Sequence, residues 1–284
     1  MSEIARKFRE VAEPIAASIY FAPEAQEEYK KLDLSFLPGY FCSRSAPLGP
    51  APGEVVASIF AVFNPEIVVP SVKEGWQKTT PQDILQARLK GASLCLERLL
   101  GTDLASISEK LKELCLPALE SAPKEGHPLF AGLIALELPS SPSGVLFRIC
   151  DLIREHRGDS HTIAWTSKGI SGCEISLLSE SYWGIPPRSY IYTRGWSQAQ
   201  VDQASEHLKQ NGLLNQDETI TEQGRALREE IETLTDEMER PIIEKIKDVS
   251  EVINLLEPLA KTIIDKGGFP ANLQNLGKTL RNIN

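Results

Sequence analysis

No stretch of this chain stays apolar for the about 20 residues that a membrane-spanning helix needs. The opening Met1-Ser2-Glu3-Ile4-Ala5-Arg6-Lys7 is charged and has none of the apolar core of a secretory signal. Both absences point to a cytoplasmic protein with no membrane partner. The five cysteines, Cys42, Cys95, Cys115, Cys150 and Cys173, are odd in number, far apart and never in a CxxC pair. That argues against a disulfide framework or a zinc site and leaves buried thiols as the reading. GxGxxG, phosphate-loop and HExxH patterns are all missing, so neither cofactor nor metal is expected. Cations are short as well: 30 Lys and Arg face 39 Asp and Glu, for a net charge of −9. A nucleic-acid binder needs a local excess of cations to displace counterions, and a globally acidic chain is a poor start.

What is present is helical periodicity. An opening helix is expected over Ser2 to Tyr20, with Pro14 as a kink, and a second starts at Ala22-Pro23. A short helix-compatible stretch from Phe36 leads into a Pro/Gly-rich bend through Pro50. A helix from Gly53 to Phe63 is ended by Asn64-Pro65. Thr80-Pro81-Gln82-Asp83 is an N-cap with proline at the first helical position, opening a helix to Leu100. Further helices read over Ile107 to Leu119 and Leu129 to Leu136.

After the Pro/Ser loop 139–144, the run Val145-Leu146-Phe147-Arg148-Ile149-Cys150-Asp151-Leu152-Ile153 passes directly into Arg154-Glu155-His156-Arg157-Gly158-Asp159-Ser160-His161. Two of the four histidines fall in this segment. Flanked this way, the cluster belongs on a largely buried helix. Burying so many ionisable groups is costly unless they pair or serve a ligand.

Beyond the interruption Gly184-Ile185-Pro186-Pro187-Arg188 the chain changes character, and a boundary is placed near Thr193. Ser197 caps a helix that stops at Asn211-Gly212; Leu213 to Ile220 reads as a small β-hairpin; Thr221 caps the next helix. The expected architecture is mainly α: a multi-helix N-terminal domain, 1–192, then a winged-helix-like C-terminal module with a β-hairpin, 193–284. A last helix, Pro241 to Ile264, lines up Ile242, Ile246, Val249, Ile253, Leu256, Leu259 and Ile263 on one face. That face packs within the chain or forms the seam of a homodimer.

Tyr20-Phe21-Ala22-Pro23-Glu24, Gly39-Tyr40-Phe41, Ser43-Arg44-Ser45-Ala46-Pro47-Leu48-Gly49, Phe63-Asn64-Pro65, Arg154 to His161 and Thr193-Arg194-Gly195-Trp196-Ser197 form a combination. Together they resemble the SalK-like helix-turn-helix family of bacterial proteins over roughly Tyr20 to Asp236. The resemblance implies the C-terminal helix-turn-helix architecture and no defined catalytic activity. The module itself is a poor DNA reader. Its expected recognition helix, Ser197 to Asn211, offers Asp202, Glu206, His207 and Lys209, and its hairpin tip carries Asp217 and Glu218 without a cation.

Two readings of the polar cluster stand side by side. In one, Arg154, Glu155, Arg157 and Asp159 tie helices together by ion pairs. In the other, the cluster is the polar end of a pocket for a small anionic or polar-aromatic ligand. Arg44, Arg154, Arg157 and Arg194 would then bind it, with Tyr40 and Phe41 as aromatic wall and Trp196 closing the lid. If chemistry occurs, His156 is the acid or base, Asp159 orients it from three residues on, and His161 is a second proton carrier. Residues five apart point about 140° away from each other on a helix, so His156 and His161 do not form a ready metal pair. The rival functions are a ligand-responsive transcription regulator and a cofactor-independent acid/base enzyme.

Overall fold

Thirteen α-helices and three short 3-10 turns make up the regular structure in the computed structural model, which describes residues 2–270. In chain order they are α1 (Ser2–Ala17), α2 (Pro23–Lys30), α3 (Phe36–Ser45), α4 (Gly53–Ile59), α5 (Pro65–Lys78), α6 (Pro81–Leu100) and α7 (Ala105–Glu120). Then follow α8 (Pro128–Ile134), α9 (Pro142–Thr166), α10 (Gly172–Tyr182), α11 (Gln198–Gln210), α12 (Glu222–Ile243) and α13 (Val249–Asp265). The 3-10 turns are Ser18–Phe21, Ala46–Leu48 and Ile191–Arg194. No helix among the described residues is long and apolar enough to cross a membrane.

Side-chain caps set several of these boundaries. Thr80 accepts from Asp83 N, Ser141 from Gly144 N and Thr221 from Gly224 N. Ser171 with Glu174 and Ser197 with Gln200 close reciprocal capping boxes. Asn64 ends nothing of its own: its side chain accepts from Glu66 N and opens α5. Pro241 does not start a helix either. It lies inside α12, which runs on to Ile243, and the break before α13 falls at 244–248.

α9 is the axis of the molecule. α1, α6, α7, α8 and α12 all pack on it, and side chains on every side of it are buried. α13 lies along α1, with Val252, Leu256 and Ile263 in the main core. The apolar face read from the sequence is therefore used within the chain. The opening of α10 sits so close to α4's exit that a Cβ on Gly172 would lie 1.7 Å from Ala61 O. Only glycine fits there.

The expected winged-helix module with its β-hairpin is not present: the chain is all-α, with no strand among the described residues. Leu214 and Ile220 make one isolated antiparallel bridge. Asn215 N donates to Thr219 O (2.8 Å) and Thr221 N to Leu213 O (3.2 Å), and the ladder stops there because Leu213 N is committed to Leu208 O at the end of α11 and Thr219 N to the Asp217 side chain. The tip folds on itself, with Thr219 N donating to Asp217 and Glu218 at φ 66°. Glu218 turns back to pair with Arg188 and accept from Ser205 Oγ, so it is not a projecting wing charge. Of the range 193–284, residues 271–284 lie outside the described residues.

Candidate functional site

A cavity of about 730 Å³ opens between α1, α3, α9, α10, α12 and the Ile191–Arg194 turn. Six arginines line it (Arg9, Arg44, Arg154, Arg157, Arg194 and Arg228) against three glutamates, Glu10, Glu13 and Glu232. The size suits a small organic molecule.

One wall is aromatic. Tyr20 and Tyr40 meet edge to face at 5.1 Å between ring centroids, and Tyr40 packs on Phe63 at 5.6 Å. Arg44 donates to both oxygens of Glu155 (3.0 and 2.8 Å) and to Tyr40 Oη (2.7 Å). Arg154 donates to Glu13 (3.2 Å), Glu155 (3.1 Å) and Tyr20 Oη (3.3 Å). Burial pushes the Glu155 carboxyl up, but Arg44 and Arg154 overcome it and hold it at about 2. Burial drives the Tyr20 phenol to about 12.

Arg194 completes this wall. Its guanidinium stacks over Phe63 (4.4 Å) and Tyr190 (4.3 Å) and donates to Tyr190 Oη. Among the described residues it is the one lining arginine without a carboxylate partner, and its Nε is buried with no acceptor. Burial, with Arg44 and Arg154 nearby, lowers it to about 10. The local fold fixes it firmly. Asn64 N donates to Arg194 O (2.9 Å), Asn64 Nδ2 donates to Gly195 O (3.0 Å), and Trp196 Nε1 donates to Val62 O (2.9 Å). From α10, Glu180 accepts from the backbone N–H groups of Arg188, Tyr190 and Ile191 (2.7, 2.6 and 2.8 Å).

The opposite wall comes from α9 and α12. Arg157 pairs with Glu232 (3.2 Å) and Asp236 (2.8 Å), and Arg228 with Glu232 (2.8 Å). Burial raises Glu232, yet His161, Arg228 and Arg157 together bring it to about 2. His161 lines the cavity with Nδ1 3.3 Å from Thr235 Oγ1, and burial keeps it neutral by lowering it to about 4.

His156 and Asp159 are elsewhere. Neither lines the cavity. His156 is fully buried and its Nδ1 lies 2.6 Å from Glu239 Oε1. Ser160 Oγ donates to the same oxygen at 2.9 Å, and His127 stacks on the His156 ring at 4.2 Å while its Nε2 meets Ser160 Oγ at 2.9 Å. The partner expected for His156, Asp159, instead accepts from Phe130 N at 3.1 Å, and burial drives its carboxyl to about 8.

The structure thus brings Tyr40, Arg44, Arg154, Arg157, His161 and Arg194 to one cavity. Phe41 sits in the core behind Tyr40, at 5.3 Å centroid to centroid, and Trp196 buttresses the junction through Val62. Sequence reasoning missed Tyr20, His127, Arg228, Glu232, Asp236 and Glu239. A signal for the α12 set existed: Arg228, Glu232, Asp236 and Glu239 recur at intervals of four, four and three, a single helical stripe. Among the described residues no group of three His, Cys, Asp or Glu is arranged to hold a metal ion.

A family model described as a helix-turn-helix family matches residues 5–270. No curated protein and no solved structure matches the chain.

Proposed function

The chain belongs to the helix-turn-helix family, and from that premise we propose that it binds a small anionic aromatic molecule in the arginine-lined cavity. One observation carries this reading: Arg194, stacked between two aromatic rings, has no carboxylate to neutralise it among the described residues. A cation withdrawn from water and left without a counterion is costly. A ligand carboxylate fits it as a planar, two-pronged acceptor, with Phe63, Tyr20 and Tyr40 to hold an aromatic ring. The cysteines and lysines contribute nothing to this wall; its cations are all arginine.

Calorimetry with benzoate and with benzylamine tests the reading, together with native mass spectrometry of the freshly purified protein. Saturable benzoate binding, or a retained acidic compound, with benzylamine silent, is the expected result. Neither compound binding and nothing retained would overturn it.

Family membership favours a second reading, a ligand-responsive regulator. The face of α11 opposes it. Asp202 and Glu206 are exposed there, and Lys209 is taken by Glu206 at 3.0 Å. A DNA-shift assay at low salt with a random duplex decides: a shift supports the regulator, and none at any protein concentration removes it.

A further inference from the structure

Arg154, Arg157, Gly158 and His161 of α9 all line the cavity. On a helix these positions form one stripe, and His161 stands two turns, about 10 Å, beyond Arg154. At the near end Arg154 is the neighbour of Arg194, the guanidinium without a carboxylate. Between the two ends lies Gly158, in a helix interior where glycine costs stability. A Cβ there would meet nothing closer than Glu155 Oε2 at 3.8 Å, so no protein contact demands the glycine. Its missing side chain leaves an open floor from one end to the other.

His161 is held in one tautomer by its neighbour on α12. Thr235 Oγ1 donates to Ile231 O at 2.8 Å, which spends its proton. At 3.3 Å it therefore accepts from His161 Nδ1. Nδ1 carries the ring proton, and Nε2, on the other side of the ring, carries a lone pair. Nε2 makes no hydrogen bond among the described residues and is open to the cavity. Glu232, which lines the same end, has one oxygen on Arg228 (2.8 Å) and the other on Arg157 (3.2 Å). Burial keeps the imidazole neutral, lowered to about 4.

We propose, resting on the ligand-binding reading of this cavity, that the ligand is a hydroxylated aromatic acid: its carboxylate sits on Arg194, its ring lies over Gly158, and its O–H donates to His161 Nε2. His161 is thus the residue that selects the hydroxyl. A hydroxyl suits this end and a second carboxylate does not. The hydroxyl brings a proton for the open lone pair and no charge. A carboxylate has no proton to give and would meet Glu232 as a like charge. An analogue that lacks the O–H leaves Nε2 unpaired, which is how a polar site discriminates.

Calorimetry of the full chain with cinnamate, 4-fluorocinnamate and 4-hydroxycinnamate tests the assignment without altering the protein. The three acids share one length, and only the last can donate from its far end. 4-Hydroxycinnamate is expected to bind about 10-fold tighter than cinnamate, with 4-fluorocinnamate no better than the parent. His161→Phe keeps a ring and removes the acceptor, so it should cut the advantage of the hydroxyl to below twofold. Gly158→Leu fills the floor and should weaken 4-hydroxycinnamate at least 10-fold, with the unfolding midpoint at or above that of the wild type. Equal affinity for the three acids, a hydroxyl advantage that survives His161→Phe, or undiminished binding to Gly158→Leu overturns the proposal and leaves the cavity a site for plain aromatic acids. Benzoate binding with all three cinnamates silent overturns it in the same way. Silence of benzoate and the cinnamates alike overturns the ligand-binding reading itself.

Discussion

His156 Nδ1 and Glu239 Oε1 lie 2.6 Å apart in the interior, joining α9 to α12 with almost no exposure of either side chain. Ser160 and His127 extend this contact into a buried chain of polar groups behind the cavity wall. Removing one partner of such a pair strands the other. His156→Ala is therefore expected to destabilise the protein by on the order of 3–5 kcal/mol, read from denaturant midpoints. Benzoate affinity should stay within twofold at temperatures where the variant is folded, since His156 is not in the cavity. Intact stability with lost affinity would place His156 in the binding site instead.

Arg194 predicts the opposite pattern. It has no carboxylate to leave unpaired among the described residues, so Arg194→Ala should keep or raise the unfolding midpoint. The same change should weaken benzoate by about 30-fold, the ~2 kcal/mol typical of a central arginine contact. A variant that loses stability and keeps affinity would make Arg194 a structural strut.

Gly195 controls where that guanidinium points. Its φ is +77°, and a Cβ there would meet Ile67 Cδ1 at 2.4 Å. Gly195→Ala combines left-handed backbone strain of about 1–2 kcal/mol with that clash. Lower stability should come with weaker benzoate binding, because the Asn64–Arg194 hydrogen bond shares the displaced backbone. Thermal melts and calorimetry on one sample read both; unchanged affinity would show that Arg194 is held by its aromatic neighbours alone.

These contrasts mark what the sequence discloses. A polar knot inside an apolar run announces a buried helix, and α9 is one, because that pattern has few other solutions. Its partners were harder to see. Arg228, Glu232, Asp236 and Glu239 repeat like the charged face of a solvated helix, and only packing against α9 reveals them as interior. The stretch Leu213 to Ile220 alternates like a hairpin, yet the end of α11 and the Asp217 side chain take the Leu213 and Thr219 donors that a longer ladder would need. α10 carries little signal in the sequence because Gly172 and its serines lower helix propensity, which a capping box at Ser171 and close packing at Ala61 override. His127 carries no local signal, since its role depends on Ser160, 33 residues away.

Asp159 predicts a pH dependence with a definite sign. Its carboxyl is buried at the N-terminal end of α8, accepts from Phe130 N, and is pushed up to about 8 by burial. An unfolded aspartate titrates at about 3.9. Between those values the folded protein keeps a proton that the unfolded chain has released, so stability falls as pH rises, by up to about 1.4 kcal/mol per pH unit. His161 acts in the other direction. Burial holds it at about 4, so it adds stability as pH rises toward the ordinary histidine value of about 6.5. Glu155 and Glu232, both at about 2, lose their contribution only as pH falls below the ordinary glutamate value. The Asp159 effect is therefore isolated as a difference. Asp159→Asn keeps an oxygen for Phe130 N and cannot ionise, while His161, Glu155 and Glu232 are unchanged in it. Urea midpoints at about pH 5 and about pH 8 should show the variant gaining on the wild type as pH rises. Parallel profiles would mean that Asp159 ionises in the folded protein at the ordinary value, and that water reaches it.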